Sequence, residues 1–285
     1  MGLRGRPVTL GAVVRRGLTD VVGLLLPREC PGCLTWDEAL CASCERLLSA
    51  RPVRCESAAP SLSRLVTRGE PAAAGDRPEA CLPVWAVAPY DGPVRGIVLA
   101  WKGPGGRGID AAVAAAGRAA GRAWRGELVA AGVPLGGATA VVPAPSGRAR
   151  RARGRMVVGS LAAQVAAGLG SLAVPVESYR AVDLLRRARG PRHLSGLGVA
   201  GRRATRRGSV RVVAELPVPT RCLLVDDVLT SGATLSECRR ALLAAGHEVL
   251  AALVLAATPP PGGSGGVGAV AASGQGLRSG YGSAP

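Results

Sequence analysis

The chain has 285 residues, of which 36 are basic and 19 acidic, so its formal net charge is +17. This length allows one substantial domain with a small accessory module. The charge suits a polyanionic ligand or partner, with scattered surface arginines that keep the protein soluble as the alternative. No apolar run approaches the roughly 20 residues that span a bilayer, which excludes membrane insertion. Because half of the eight cysteines fall in Cys-x-x-Cys pairs, we expect a soluble, cytoplasmic, metal-binding protein rather than a secreted, disulfide-stapled one.

The N-terminal part of the chain carries a predicted helix and a candidate metal site. Apolar residues recur at helical spacing, which predicts an amphipathic helix within residues 1–26. Two Cys-x-x-Cys pairs follow: Cys30, Cys33, Cys41 and Cys44. Four thiolates complete a tetrahedral Zn²⁺ site and leave no coordination position open for catalysis. Residues 27–49 are therefore predicted to form a structural zinc module, with a redox-active Cys-x-x-Cys as the alternative.

The remaining elements alternate between strands and helices. Residues 50–82, rich in Pro, Ser and Ala, are predicted to be a linker before a main domain at 83–258. Apolar runs predict strands over Val84–Tyr90, Ala138–Val142, Val210–Ala214, Cys222–Val225 and Val249–Leu255. Helical periodicity predicts helices over Val94–Trp101, Ile109–Ala131, Val157–Leu169 and Leu235–Ala245, the last ended by Gly246. Strand–helix–strand units require a parallel sheet flanked by helices, so the fold class is α/β.

Two stretches have no regular pattern. The Arg-rich residues 186–207 are ambiguous between a loop and a hood with a short helix. Residues 259–285 consist mainly of Gly, Ser, Pro and Ala, and we expect them to be a disordered tail.

The most informative stretch is Cys222-Leu-Leu-Val-Asp-Asp-Val-Leu-Thr-Ser-Gly-Ala-Thr234. Adjacent side chains on a strand point to opposite faces, so Asp226 and Asp227 are expected to do different work. The small residues that follow let the backbone approach an anion, and the next helix offers free N–H groups and its positive dipole end. The Thr230–Thr234 loop is therefore predicted to bind phosphate. Simple capping of the helix by Ser231 or Thr234 is the alternative.

This stretch resembles the signature of type I phosphoribosyltransferases, which bind 5-phosphoribosyl-1-pyrophosphate (PRPP). The resemblance implies that the acids Asp226 and Asp227 hold the ribose hydroxyls. It also implies that the 5′-phosphate is bound by Thr230, Ser231, Gly232, Ala233 and Thr234. Mg²⁺ is the cofactor implied for the pyrophosphate of PRPP.

The cysteine pairs followed by such a domain resemble the ComF family, which is associated with natural competence and DNA uptake. Weaker matches are Tyr90-Asp-Gly-Pro-Val-Arg95 leading to Lys102, Val142-Pro-Ala-Pro145, and Arg151-Ala-Arg-Gly154. Lys102 is a candidate for a contact with pyrophosphate because it is the only lysine of the chain, with a solvated lysine at a helix end as the alternative. Arg151 and Arg153 are candidates because phosphoribosyltransferases have a pyrophosphate loop after the corresponding strand, with a solvated Arg-rich face as the alternative.

The resemblance implies transfer of a phosphoribosyl group from PRPP, a glycosyltransferase reaction, to an acceptor that the sequence does not identify. The alternative is a non-enzymatic competence factor that binds single-stranded DNA or a helicase. The net charge of +17 predicts weak, salt-sensitive binding to single-stranded DNA, with few aromatic side chains to stack on bases.

Overall fold

The computed structural model describes residues 29–62, 82–147, 155–175, 177–188 and 208–260. The helix predicted within residues 1–26, nearly all of the predicted tail, and the candidates Arg151 and Arg153 lie outside these ranges. Within the described residues, no helix combines the length and apolarity that a bilayer crossing needs.

A mostly parallel sheet forms the centre of the molecule. The strands in chain order are β1 (Val53–Arg54), β2 (Val84–Pro89), β3 (Gly137–Pro143), β4 (Glu177–Ala181), β5 (Leu185–Arg187), β6 (Val210–Val212), β7 (Arg221–Leu229) and β8 (Glu248–Ala257). Six of them form one sheet in the order β1-β2-β8-β7-β3-β4, in which only the short β1 is antiparallel to its neighbour. Strands β5 and β6 pair antiparallel as a separate ribbon.

Helices cover both faces of this sheet. They are α1 (Ala42–Leu47), α2 (Gly92–Lys102), α3 (Asp110–Ala130), α4 (Val157–Gly170) and α5 (Ala233–Ala244), with 3₁₀ turns at Glu56–Ala58 and Pro104–Ile109. The first core contains the buried residues of α2, α3 and α4 and every second residue of β7, such as Leu223 and Val225. The second core contains α5 and the ribbon, with Cys222 and Leu224 of β7. The strict alternation along β7 shows that it is a central strand buried on both faces.

The predicted α/β class with a parallel sheet flanked by helices is confirmed. All nine predicted strands and helices that lie within the described residues are present, with ends that differ by a few residues. Gly246 ends α5 in the left-handed conformation, with φ +82°, as its position after the helix predicts. Strand β4, which alternates half-buried and exposed residues at the sheet edge, was not predicted.

The range predicted as a linker contains an ordered part. Residues 51–62 form β1 and the turn that follows it, and Leu62 is completely buried in the second core. The Glu56 carboxylate accepts hydrogen bonds from Arg54 and from the backbone N–H of Val84, which ties the turn to the start of β2.

Candidate functional site

The four cysteines of the two Cys-x-x-Cys pairs form one cluster. Their sulfur atoms all lie within 4.8 Å of one another, and Cys30 and Cys44 are buried whereas Cys33 is exposed. Tetrahedral zinc with Zn–S bonds of about 2.3 Å places sulfur atoms about 3.8 Å apart, close to the spacing of this cluster. The residues therefore fit a metal ion such as zinc.

Several of the sulfur atoms in this cluster accept hydrogen bonds. The backbone N–H of Cys41 donates to Cys30 Sγ, and that of Cys44 donates to Cys41 Sγ, both at 3.5 Å. The side-chain and backbone hydrogen bonds of Thr35 lower the pKa of Cys33 to about 6. Thiolates are the metal-binding form of cysteine. The pKa of Cys30 is also lowered, against the effect of its burial, by backbone N–H donors. Burial raises the pKa of Cys44, and, against the Cys44 N–H, the Cys33 side chain raises the pKa of Cys41. The donors therefore favour the thiolate at two of the four cysteines.

The cysteine module, residues 29–49, packs directly on helix α2. Cys30, Cys44 and Leu48 belong to the first core together with Ile97 of α2. A Cβ atom on Gly96 would lie only 2.1 Å from the carbonyl oxygen of Pro31, so the two backbones touch. The module is thus part of the same hydrophobic core as the sheet.

At the C-terminal end of β7, the two acids face opposite sides of the sheet. Asp227 continues the series that faces α2, and its Oδ1 lies 2.8 Å from Nζ of Lys102, the last residue of that helix. Asp226 continues the other series and lines a cavity beside α5. The two carboxylates therefore have different partners, as strand geometry predicts.

Asp226 is a buried carboxyl group next to a second acid. Burial, followed by the charge of Asp227, raises its pKa to about 7, although the backbone N–H of Asp227 and the charges of Lys102 and Arg187 act in the opposite direction. That N–H donates to Asp226 Oδ1 at 2.8 Å. A carboxyl group with this pKa exchanges its proton near neutral pH, which is typical of functional sites.

The loop after β7 leads directly into the N-terminus of α5. Gly232 is the N-cap in the left-handed conformation, with φ +77°, a backbone geometry that favours glycine. No side chain caps the helix and no acid lies in its first turn, so the N–H groups and dipole of this turn are not neutralised by the helix itself. The loop thus presents a positive, backbone-lined surface suited to an anion.

Residues 59–62 pack against this loop. The backbone N–H of Ser61 donates to the carbonyl oxygen of Ser231 at 2.9 Å. A Cβ atom on Gly232 would lie 2.7 Å from Leu62 Cγ and 3.1 Å from Ala59 Cβ. The segment just after the cysteine module therefore helps to fix the loop, a role that its Pro/Ser/Ala composition gives no sign of.

A cavity of about 320 Å³ adjoins the loop. Its volume is at the lower end of the range for small-molecule sites, about 300–1,000 Å³. Its lining residues come from β7, the loop, α5 and the ribbon: Arg187, Ser209, Val210, Asp226, Val228, Leu229, Thr230, Ser231, Gly232, Ala233, Thr234 and Leu235.

The structure thus brings Asp226 and all of Thr230–Thr234 to one cavity, whereas Asp227 and Lys102 pair with each other on the other face of β7. Arg187 and Ser209 were not predicted as site residues. Arg187 belongs to an Arg-rich run in which nothing distinguishes one arginine from the next, so the sequence holds no signal that would have identified it.

No model of a known protein family matches this chain. A search of curated proteins finds no similar sequence. The functional argument therefore depends on the residues and geometry of the site.

Proposed function

We propose that the cavity beside α5 binds PRPP, and that the protein is a phosphoribosyltransferase-type enzyme of the ComF kind acting on an acceptor still to be identified. The observation that carries this proposal is the convergence of Asp226 and the whole Thr230–Thr234 loop on one cavity at the C-terminal end of a parallel strand. Open α/β sheets bind their ligands at this end of the strands.

The phosphate end of the ligand fits the loop. The first turn of α5 offers backbone N–H groups with no competing acid, and the hydroxyls of Thr230, Ser231 and Thr234 supply further donors around the cavity. A phosphate monoester placed here satisfies donors that the helix cannot satisfy internally.

The sugar fits the acid at the edge of the same cavity. An ionised Asp226 accepts hydrogen bonds from ribose hydroxyls, and charge-assisted bonds of this kind are among the stronger ones. Asp227, the second acid of the motif, is neutralised by Lys102. The resemblance to phosphoribosyltransferases implies that Asp227 binds the ribose, and Lys102 is the candidate for a contact with the pyrophosphate, so ligand binding would exchange their mutual contact for contacts with PRPP.

Magnesium would enter with the ligand. Mg²⁺ prefers six oxygen ligands and keeps several waters, and Asp226 and Asp227 alone offer too few oxygens to hold it. The pyrophosphate oxygens would supply the rest, and Mg²⁺ would then neutralise the charge of the departing pyrophosphate. Zinc, in contrast, fits the cysteine cluster whether or not PRPP is bound. It would stabilise the fold and take no part in catalysis, since four thiolates leave no open coordination position.

Titration calorimetry tests the proposal. PRPP with Mg²⁺ is titrated into the wild type, the double variant Asp226→Asn/Asp227→Asn and Gly232→Val. We expect the wild type to bind and both variants to lose binding, because the double variant loses the negative charge that strengthens the bonds to the ribose hydroxyls and the valine side chain prevents the close approach of the loop backbone. Asp183→Asn serves as the matched control, because this acid lies outside the cavity of the loop and pairs with Arg186.

Two outcomes would contradict the proposal. The first is the absence of heat on titrating the wild type with PRPP and Mg²⁺. The second is equal affinity of the wild type and the double acid variant, with circular dichroism showing both to be folded.

A further inference from the structure

The β5–β6 ribbon contributes a cation to the cavity of the phosphate loop. Arg187, the last residue of β5, lines this cavity together with Ser209 and Val210. Among the described residues of the lining, it is the one basic side chain. Its charge also lowers the pKa of Asp226, against the larger effects of burial and of Asp227.

The ribbon is held at a fixed position relative to the loop. Arg240, on α5, donates from Nη2 to the carbonyl oxygen of Val210 at 3.0 Å. On the same helix, the Glu237 carboxylate accepts from the backbone N–H of Gly208 at 2.8 Å and from Arg240 at 3.0 Å. The helix that begins at the phosphate loop therefore also anchors β6 by hydrogen bonds, and β6 pairs with β5, the strand that carries Arg187.

The Arg187 side chain is exposed, and one nitrogen of its guanidinium makes a hydrogen bond within the protein. Nε donates to the carbonyl oxygen of Pro145 at 3.2 Å, just beyond the end of β3. This bond uses the inner donor of the guanidinium, and the two Nη nitrogens are the donors for a ligand. Planar, paired donors of this kind match the oxygens of a phosphate group.

We propose that Arg187 is a ligand-binding residue of this site and that it contacts the phosphoryl group held by the Thr230–Thr234 loop. This inference rests on the proposed function and deepens it, because it identifies a monoester phosphate dianion as the recognised group. A helix N-terminus carries only about half a unit charge, so the full unit charge of a guanidinium contributes about twice as much as the helix towards neutralising the dianion.

The experiment measures the affinity of three probes by titration calorimetry: inorganic phosphate, ribose 5-phosphate, and PRPP with Mg²⁺. The variants are Arg187→Gln, which removes the charge, and Arg187→Lys, which keeps it without the paired donors. Arg186→Gln is the matched control, because Arg186 is the neighbouring residue of β5 and binds Asp183 at 2.8 Å instead of lining the cavity. Thermal unfolding of each variant verifies its fold.

We expect Arg187→Gln to weaken the binding of ribose 5-phosphate roughly tenfold to hundredfold, with Arg187→Lys in between and Arg186→Gln unchanged. Equal affinity of the wild type and Arg187→Gln would overturn the inference, and so would an equal loss in Arg186→Gln. A wild type that binds ribose 5-phosphate but not PRPP would overturn the proposed function and leave this inference standing. A wild type that binds none of the probes would overturn both.

Discussion

Nζ of Lys102 lies 2.8 Å from Oδ1 of Asp227, and this contact joins the end of α2 to the end of β7. Lys102 is the only lysine in a chain that otherwise uses arginine. Both side chains are largely buried. The Lys102 ammonium therefore neutralises Asp227, one of two adjacent acids, where water is partly excluded. The same helix touches the cysteine module through Gly96 and Pro31, so α2 connects the cysteine cluster with the acid pair.

The charge of Lys102 is expected to keep Asp226 ionisable near neutral pH. Lys102 lowers the pKa of Asp226, and burial and Asp227 raise it to about 7. In Lys102→Met the pKa of Asp226 therefore rises further above 7, because an opposite charge is lost. Carbon NMR of labelled aspartate carboxyls measures this shift. Arg95→Met, an exposed change on the same helix, should leave the pKa in place, and an unchanged value in Lys102→Met would contradict the expectation.

The raised pKa of Asp226 predicts that stability falls as the pH rises. The folded chain binds this proton up to about pH 7, whereas an unfolded aspartate releases it near 3.9. The stabilisation is therefore complete below about pH 4 and is lost as the pH rises to about 7. Asp226→Asn keeps an oxygen acceptor for the Asp227 N–H and removes the titration.

We expect Asp226→Asn to exceed the wild type in free energy of unfolding at pH 8 by about 1–4 kcal/mol. The difference should shrink towards pH 4. Urea unfolding at several pH values measures it. A variant that is less stable than the wild type at pH 8 would show that ionised Asp226 is favourably solvated or paired.

Gly232→Ala is expected to destabilise the protein by about 1–3 kcal/mol, because an L side chain is strained at φ +77° and its Cβ meets Leu62 and Ala59. Gly126→Ala is the matched control. Gly126 lies in α3 with open space around it, and alanine there should stabilise the helix by up to about 1 kcal/mol. Thermal unfolding of both variants tests whether the melting temperature falls in Gly232→Ala and rises in Gly126→Ala.

The cysteine cluster is expected to bind one zinc ion per chain. Cys33→Ser should lower the zinc content of the purified protein and its melting temperature, because the remaining three thiols leave the tetrahedral site incomplete. Cys55→Ser, a change outside the cluster, should retain full zinc. Elemental analysis measures the zinc content of each protein. A wild type without zinc, or a Cys33→Ser variant with full zinc content, would rule out zinc binding by these four cysteines.

The sequence predicted those parts of the site that are encoded locally. β7, the loop and α5 are consecutive, so one string of residues contains the apolar strand, the two acids and the helix start, and it also predicts that Asp226 and Asp227 face opposite sides. Arg187 and Leu62 reach the loop only through tertiary structure. Their local sequences, an Arg-rich run and a Pro/Ser/Ala segment, resemble solvent-exposed chain, so neither position could be predicted without the fold.

The position of β8 has a consequence for how the chain folds. β8 is the last strand along the residues that the structure describes, yet it lies in the middle of the sheet between β2 and β7. Val84 of β2 pairs with Ala252 of β8, and a contact so distant along the chain closes slowly because a long loop must be ordered first. During synthesis, β2 and β7 each have one unpaired edge until β8 emerges from the ribosome. The apolar strands around the candidate site are therefore exposed to aggregation at that stage, and folding of the sheet is completed only after β8 has been translated.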